Sequence, residues 1–130
     1  MNSFVLKFGV FFLLAVAAAV PVRAASLEGL WTGGGYVQPA SGQRERVSCR
    51  VSYSRRSRSV LGVVATCATT STKIRQTGEL LMVSPTRYVG DFYNAQYDIG
   101  GRIRVIVNGT RQTVTFTSGN GGGRLSLQKR

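Results

Sequence analysis

The sequence predicts an all-β fold in which about eight antiparallel strands follow one another as a meander and close into a small barrel. Three observations predict it. From Ala25 onward the chain holds 22 Ser and Thr and 15 Gly against five Ala, three Glu, two Lys and one Met, so helix formers are scarce. No stretch repeats apolar residues at i, i+3, i+4 and i+7 over three turns, whereas period-two alternation recurs along the chain. The turns that this alternation implies fall roughly every 13 residues, a spacing that suits a meander. Closing the meander removes the exposed edges that an open sheet would present.

The elements follow in order. Residues 1–24 are expected to be a signal peptide: Lys7 precedes an apolar run from Phe8 to Val20, and Pro21-Val22-Arg23-Ala24-Ala25 places small residues at the cleavage site. The run is short for a membrane span; retention as an anchor is the alternative reading. Residues 25–130 are expected to form one β-barrel domain with no transmembrane span. Loss of Lys7 and Arg23 takes the formal charge from +12 to about +10. An exported chain meets an oxidising compartment, most simply a bacterial periplasm, where Cys49 and Cys67 are expected to form a disulfide.

Gly29 to Val37 reads as the first strand. If Cys49 and Cys67 oppose each other directly, every pair in their hairpin sums to 116. Val51 then meets Ala65, Tyr53 meets Val63, and the turn lies near Ser57. This register puts Val47, Cys49, Val51 and Tyr53 on an apolar face with Leu61, Val63, Ala65 and Cys67, and turns Arg46, Ser48, Arg50 and Ser52 outward. Such a bridge closes about 18 residues and stabilises by roughly 3 kcal/mol. Lys73 to Val83 reads as the fourth strand and Thr86 to Tyr93 as the fifth, after the Ser84-Pro85 turn. Gly101 to Ser118 reads as a hairpin about Asn108-Gly109, with Val107 opposite Thr110, Ile103 opposite Val114 and Val105 opposite Gln112. Gly119 to Gly123 reads as a loop and Arg124 to Lys129 as the last strand. An immunoglobulin-like sandwich is the competing closure. It ranks second, because the Cys pair of that fold joins facing sheets and lies farther apart in sequence.

Composition narrows function mainly by exclusion. The chain has no His, so neither a Ser-His nor a Cys-His pair exists, and two Cys alone make no zinc site. Its five carboxylates are Glu28, Glu45, Glu79, Asp91 and Asp98. Glu79 and Asp91 read as outward-facing, Asp98 before Gly100-Gly101 as a turn residue, and Glu45 as an exposed partner of Arg44 or Arg46. No catalytic residue, metal ligand or cofactor is expected. A binding or structural role is favoured over an enzyme.

Thirteen of the 15 basic residues from Ala25 on are Arg. Arg55, Arg56 and Arg58 fall at the tip of the disulfide hairpin, and Arg44, Arg46 and Arg50 along its outer face. Guanidinium forks suit phosphate and carboxylate, so these six are candidate anion-binding residues for an envelope lipid, an acidic polysaccharide or an acidic protein surface. The competing account is a solvated face that keeps a small monomer soluble. Nucleic acid is not expected, because the aromatic interleaving that single strands require is missing.

Gly29-Leu30-Trp31 opens the first strand, and here the chain resembles the calycin superfamily of lipocalins, avidins and small secreted protease inhibitors, which begin with Gly-x-Trp. The resemblance implies that Trp31 plugs one end of a barrel and that a basic residue near the last strand, Arg124, Lys129 or Arg130, packs across it. The periplasmic inhibitors of that group also place a disulfide across their second and third strands. They inhibit through an N-terminal arm, whereas only Ala25 to Glu28 precede Gly29. Trp31-Thr32-Gly33-Gly34-Gly35 followed by Cys49-Arg50-Val51-Ser52-Tyr53 also resembles small bacterial periplasmic proteins. Gly33 and Gly35, on the Trp31 side of the strand, are candidates to leave ligand space, or simply to let the strand bend.

The leading expectation is a secreted, non-enzymatic binding protein. A protease inhibitor and a structural envelope protein without a ligand are the alternatives. Mass spectrometry of the unreduced protein is expected to show a chain that begins near Ala25 and weighs two hydrogens less than the dithiol.

Overall fold

The fold is a closed barrel in which every strand pairs with its neighbours in sequence and the last returns to the first. The computed structural model describes residues 26–130. The expected signal peptide, residues 1–24, lies outside the described residues. Eight strands run as β1 (Gly29–Pro39), β2 (Glu45–Arg55), β3 (Val60–Ala68), β4 (Lys73–Ser84), β5 (Arg87–Asn94), β6 (Ile99–Asn108), β7 (Arg111–Ser118) and β8 (Gly121–Lys129). All ladders are antiparallel, including the β1–β8 closure that sets Trp31 opposite Lys129 and Gly35 opposite Leu125. A sandwich is thereby ruled out. Among the described residues, no helix is long and apolar enough to cross a membrane.

Alternation sorts the side chains. Trp31, Val51, Leu61, Leu80, Val105 and Leu127 are buried inside, and their strand neighbours face out. The cysteine hairpin has the register its spacing demands, with Cys49 opposite Cys67 and Tyr53 opposite Val63, and the disulfide is formed.

Two expectations are corrected. The β6–β7 hairpin closes at Asn108 opposite Arg111, so Val105 faces Val114 and Ile103 faces Phe116. An Asn-Gly loop would need positive φ at both residues. Only Gly109, at +63°, has it here, and the loop becomes Gly109-Thr110. The displacement is two residues, so inside and outside are unchanged, while apolar residues gain apolar partners across the ladder. The second correction concerns the glycine run. Gly121 to Gly123 belong to β8 and pair with both β7 and β1. A β-carbon at Gly123 would meet the Phe116 ring and the Tyr36 carbonyl, so the strand approaches its neighbours only because the side chain is missing.

The same constraint acts in the middle of β1. A β-carbon at Gly33 would strike the Ser126 carbonyl, and one at Gly35 the Arg124 carbonyl. These glycines let β8 draw in against β1. Gly35→Ala is therefore expected to cost about 2 kcal/mol or more in urea unfolding. Gly42→Ala in the β1–β2 loop, where a β-carbon would make ordinary contacts at 3.5 Å, is expected to change little.

Candidate ligand cavity and the arginine side chains

The two ends of the barrel differ because their inward residues differ in size. At one end, Trp31 and Leu27 are fully buried, with Leu61, Tyr88, Val107 and Leu127 close to it. Trp31 Nε1 donates to the Leu27 carbonyl at 2.9 Å, which folds the segment before β1 under the barrel. Lys129 Nζ lies 5.7 Å from the centroid of the Trp31 ring and donates to the Ser26 carbonyl at 2.9 Å. Of the three basic residues that could cross Trp31, it is Lys129 that does so; Arg130 Nε instead donates to Thr32 Oγ1 at 2.8 Å. This end is plugged.

Toward the other end the inward positions become Val47, Cys49, Ala65, Cys67, Gly101 and Gly123. An eight-stranded barrel is only just filled by large side chains. With small ones a cavity of about 390 Å³ remains, opening between the β1–β2, β3–β4, β5–β6 and β7–β8 loops. Its walls include Val51, Val63, Ala65, Ile103, Val114 and Leu125, and the disulfide forms part of one side. Phe92 and Phe116 meet edge to face at 6.3 Å. Their rings lie where β-carbons of Gly101 and Gly123 would be, so the aromatics lean on the wall instead of filling the centre. Polar residues, among them Gln38, Thr72, Asn94, Tyr97 and Asn120, ring the mouth. Glu45 is the one charged residue of the lining. It sits at this mouth, and no ion pair joins it to Arg44 or Arg46, contrary to the sequence expectation.

Tyr53 lines the inner part of the cavity, and its hydroxyl donates to Gln112 Oε1 at 2.6 Å. Both residues are buried. Gln112 Nε2 has no partner among the protein atoms. Exchanging the amide nitrogen and oxygen would only move the vacancy, because one hydroxyl cannot satisfy both ends. Burial pushes the Tyr53 pKa above its ordinary value, with the Gln112 hydrogen bond acting in the opposite sense.

The residues picked from the sequence do not converge on this cavity. Trp31, Gly33 and Gly35 are not among its lining; Trp31 belongs to the plug, and the two glycines face the β8 backbone. The six arginines are also dispersed. Arg55, Arg56 and Arg58 lie at the plugged end, at the β2–β3 turn, while Arg44 precedes β2 at the mouth and stacks its guanidinium carbon 3.9 Å above the Tyr36 ring. Arg55 is paired with Glu28 and also donates to the Arg58 carbonyl at 2.8 Å, and Arg56 lies 3.9 Å from Glu79. Arg46 and Arg50 point outward along β2. Sequence reading missed the cavity itself. Its signal is a size gradient, large inward residues near Trp31 and small ones toward Cys49 and Gly123, which becomes visible only once all eight strands are in register. Among the described residues no three potential metal ligands cluster.

No protein-family model matches the chain, and no curated protein matches its sequence. Solved structures that resemble it are small β-barrels. They include a redesigned β-barrel (TM-score 0.65, 17% identity, covering 82% of this chain and 94% of that one). Another is the redesigned barrel mFAP1 bound to DFHBI (0.66, 16%, 82% and 97%). A third is a de novo fluorescence-activating barrel (0.62, 13%, 82% and 96%). At these identities the likeness is one of fold.

Tyr53→Phe is expected to leave the buried Gln112 amide wholly unpaired and to cost about 1–3 kcal/mol at neutral pH. Since the folded state holds the Tyr53 proton above its ordinary pKa of 10.0, the unfolded chain ionises first as pH rises. Stability linked to this group is thus complete below that value and declines above it. Urea midpoints measured from pH 7 to 11 are expected to fall less steeply in Tyr53→Phe than in the parent.

Proposed function

We propose that the protein is a non-enzymatic, calycin-type carrier that binds a small, uncharged and largely apolar molecule in the barrel. The observation that carries this reading is the 390 Å³ cavity with an apolar interior and a single charged residue, at its lining, open at one end and plugged by Trp31 at the other. Cavities of a few hundred Å³ with apolar walls and a polar rim are the usual form of small-molecule sites. An anionic ligand group would meet no opposite charge in the lining, and burying any ionised group among the apolar walls would be costly. The neutral rim residues suit hydroxyl, carbonyl or amide groups at the outer end of the ligand. The redesigned barrel mFAP1, which is similar in fold, is bound to DFHBI, and this supports the reading that the present barrel binds a ligand. The disulfide and the expected signal peptide support secretion to an oxidising compartment such as a bacterial periplasm.

Protease inhibition draws less support. Among the described residues, Ser26 to Glu28 do not form a free arm: Leu27 is fully buried and its carbonyl is bound by Trp31, while Lys129 holds Ser26 and Arg55 holds Glu28.

A neutral apolar dye such as Nile red is the test. The oxidised protein is expected to bind it with micromolar affinity, and Ala65→Phe, which places a ring inside the cavity, is expected to weaken binding at least tenfold without unfolding the barrel. Equal binding by the parent and Ala65→Phe would place the dye elsewhere and remove the proposal.

A further inference from the structure

The outer surface of β2, β1, β8 and the start of β7 has an arrangement that the cavity does not explain. Cross-strand pairing aligns Arg46, Tyr36 and Arg124 in one row. Arg44 lies over the Tyr36 ring at 3.9 Å and adds a third guanidinium. Four residues along each strand, about 13 Å away at the usual rise, a second row runs through Arg50, Thr32, Gln128 and Arg111. Arg130, donating to Thr32 at 2.8 Å, brings a third guanidinium to that row. Between the rows lie Ser48, Gly34 and Ser126, directly paired. The result is a floor of two hydroxyls and bare backbone, bordered on both sides by arginine.

No side-chain carboxylate answers these charges. The outward positions of these strands hold none, and all five Asp and Glu side chains are placed elsewhere. Glu28, Glu79 and Asp91 face Arg55, Arg56 and Arg102, Glu45 is at the cavity mouth, and Asp98 accepts from the Tyr93 hydroxyl. The chain thus spends its ion pairs around the β2–β3 turn and on β4 to β6, and leaves six arginines uncompensated on one face.

We propose that this face docks a linear acidic polysaccharide, lying along the Ser48-Gly34-Ser126 floor with its anionic groups against the two arginine rows. Charge complementarity specifies an anion, and two rows specify one with charges repeated along both sides of a chain. The floor suits sugar: the Ser48 and Ser126 hydroxyls can meet ring hydroxyls, and Gly34 between them carries no side chain to keep a ring away. A membrane surface fits less well, because interfacial binding needs apolar residues to insert. Of the exposed aliphatic residues, a single one, Leu30, lies on these strands, beyond the second row at the end of β1, while Leu81, Val83, Val89 and Ile106 lie on β4, β5 and β6. Single-stranded nucleic acid needs bare aromatic faces for stacking, and the ring of Tyr36 is already covered.

The test uses the oxidised protein with alginate and heparin oligosaccharides at low salt. Arg46→Ser/Arg50→Ser/Arg124→Ser is expected to weaken binding at least tenfold. Arg55→Ser/Arg56→Ser/Arg58→Ser, which removes the same formal charge from the hairpin tip, is expected to change it less than twofold. Ser48→Glu, a single exposed change that adds a carboxylate to the floor, is expected to weaken binding by a similar factor to the first triple variant. Ala65→Phe is expected to have no effect, which separates this surface from the cavity. Equal losses in both triple variants would show a response to net charge alone and overturn the proposal. So would failure to bind either polysaccharide, or tighter binding to anionic vesicles, duplex DNA or a polyglutamate chain.

Discussion

The structure depends on β1 pairing along both edges at once. In a closed sheet of only eight strands the curvature is severe, and a strand between two neighbours can satisfy both ladders only if its own side chains do not hold them apart. β1 pairs with β2 from Gly29 to Val37 and with β8 from Trp31 to Pro39, so its middle is held from both sides. Gly33 and Gly35 make this possible by leaving vacant the positions that the Ser126 and Arg124 carbonyls crowd. Without that approach β1 and β8 would each present an unpaired edge. Trp31 could not then be enclosed between the first and last strands, with Leu27 and Lys129 tied beneath it.

Closure also determines where the interior can stay open. At the Trp31 end the barrel is filled, and packing supplies the stability. Toward the mouth, where Cys49, Ala65, Cys67, Gly101 and Gly123 face inward, side chains do not meet across the centre and packing is thinnest. The covalent bridge sits there, in the cavity wall. A cross-link over about 18 residues stabilises by restricting the unfolded chain and does not require the interior to be full. Stability and open space are therefore compatible at this end. Tyr53 and Gln112 mark the inner boundary, where a polar pair replaces what would otherwise be continuous apolar packing.

Much of this architecture was legible in the sequence because strands have a period of two and a few residues anchor the register. Cys49 and Cys67 fixed one hairpin to the residue, since direct opposition allows one pairing. Asn108-Gly109 predicted a turn in the right place but not its register, because the dipeptide does not say which residue enters the loop first. The shift of two kept every face, which is why the inward and outward sets of β6 and β7 were still read correctly. Gly121 to Gly123 were misread because glycine is both a loop residue and the only residue tolerated where strands crowd. What decides between the two is the position of Phe116 and Tyr36, brought close by pairing and distant in sequence. The cavity and the arginine rows were hidden for a related reason. Both are made by residues on different strands, and neither can be seen until the β1–β8 closure sets the last register.

Alternation lets one ladder serve two surfaces of opposite character. Along β1, residues 31, 33 and 35 face inward and are committed to the plug and to closure, while 32, 34 and 36 face the arginine rows. Gly34 belongs to both, since its bare backbone forms part of the outer floor and a β-carbon there would lie 2.6 Å from the Val47 carbonyl. Any side chain at that position alters the β1–β2 ladder as well as the floor, so a loss of binding there would not separate docking from folding. Ser48 and Ser126 flank it on strands where the outward side chains are exposed. Charge on the outer face is thus set by residues that the barrel does not use to close, whereas the shape of that face is set by a glycine that it does. A partner that reads only charge would be indifferent to the glycine triplet; one that lies against the floor depends on the same absence of side chains that closes the barrel.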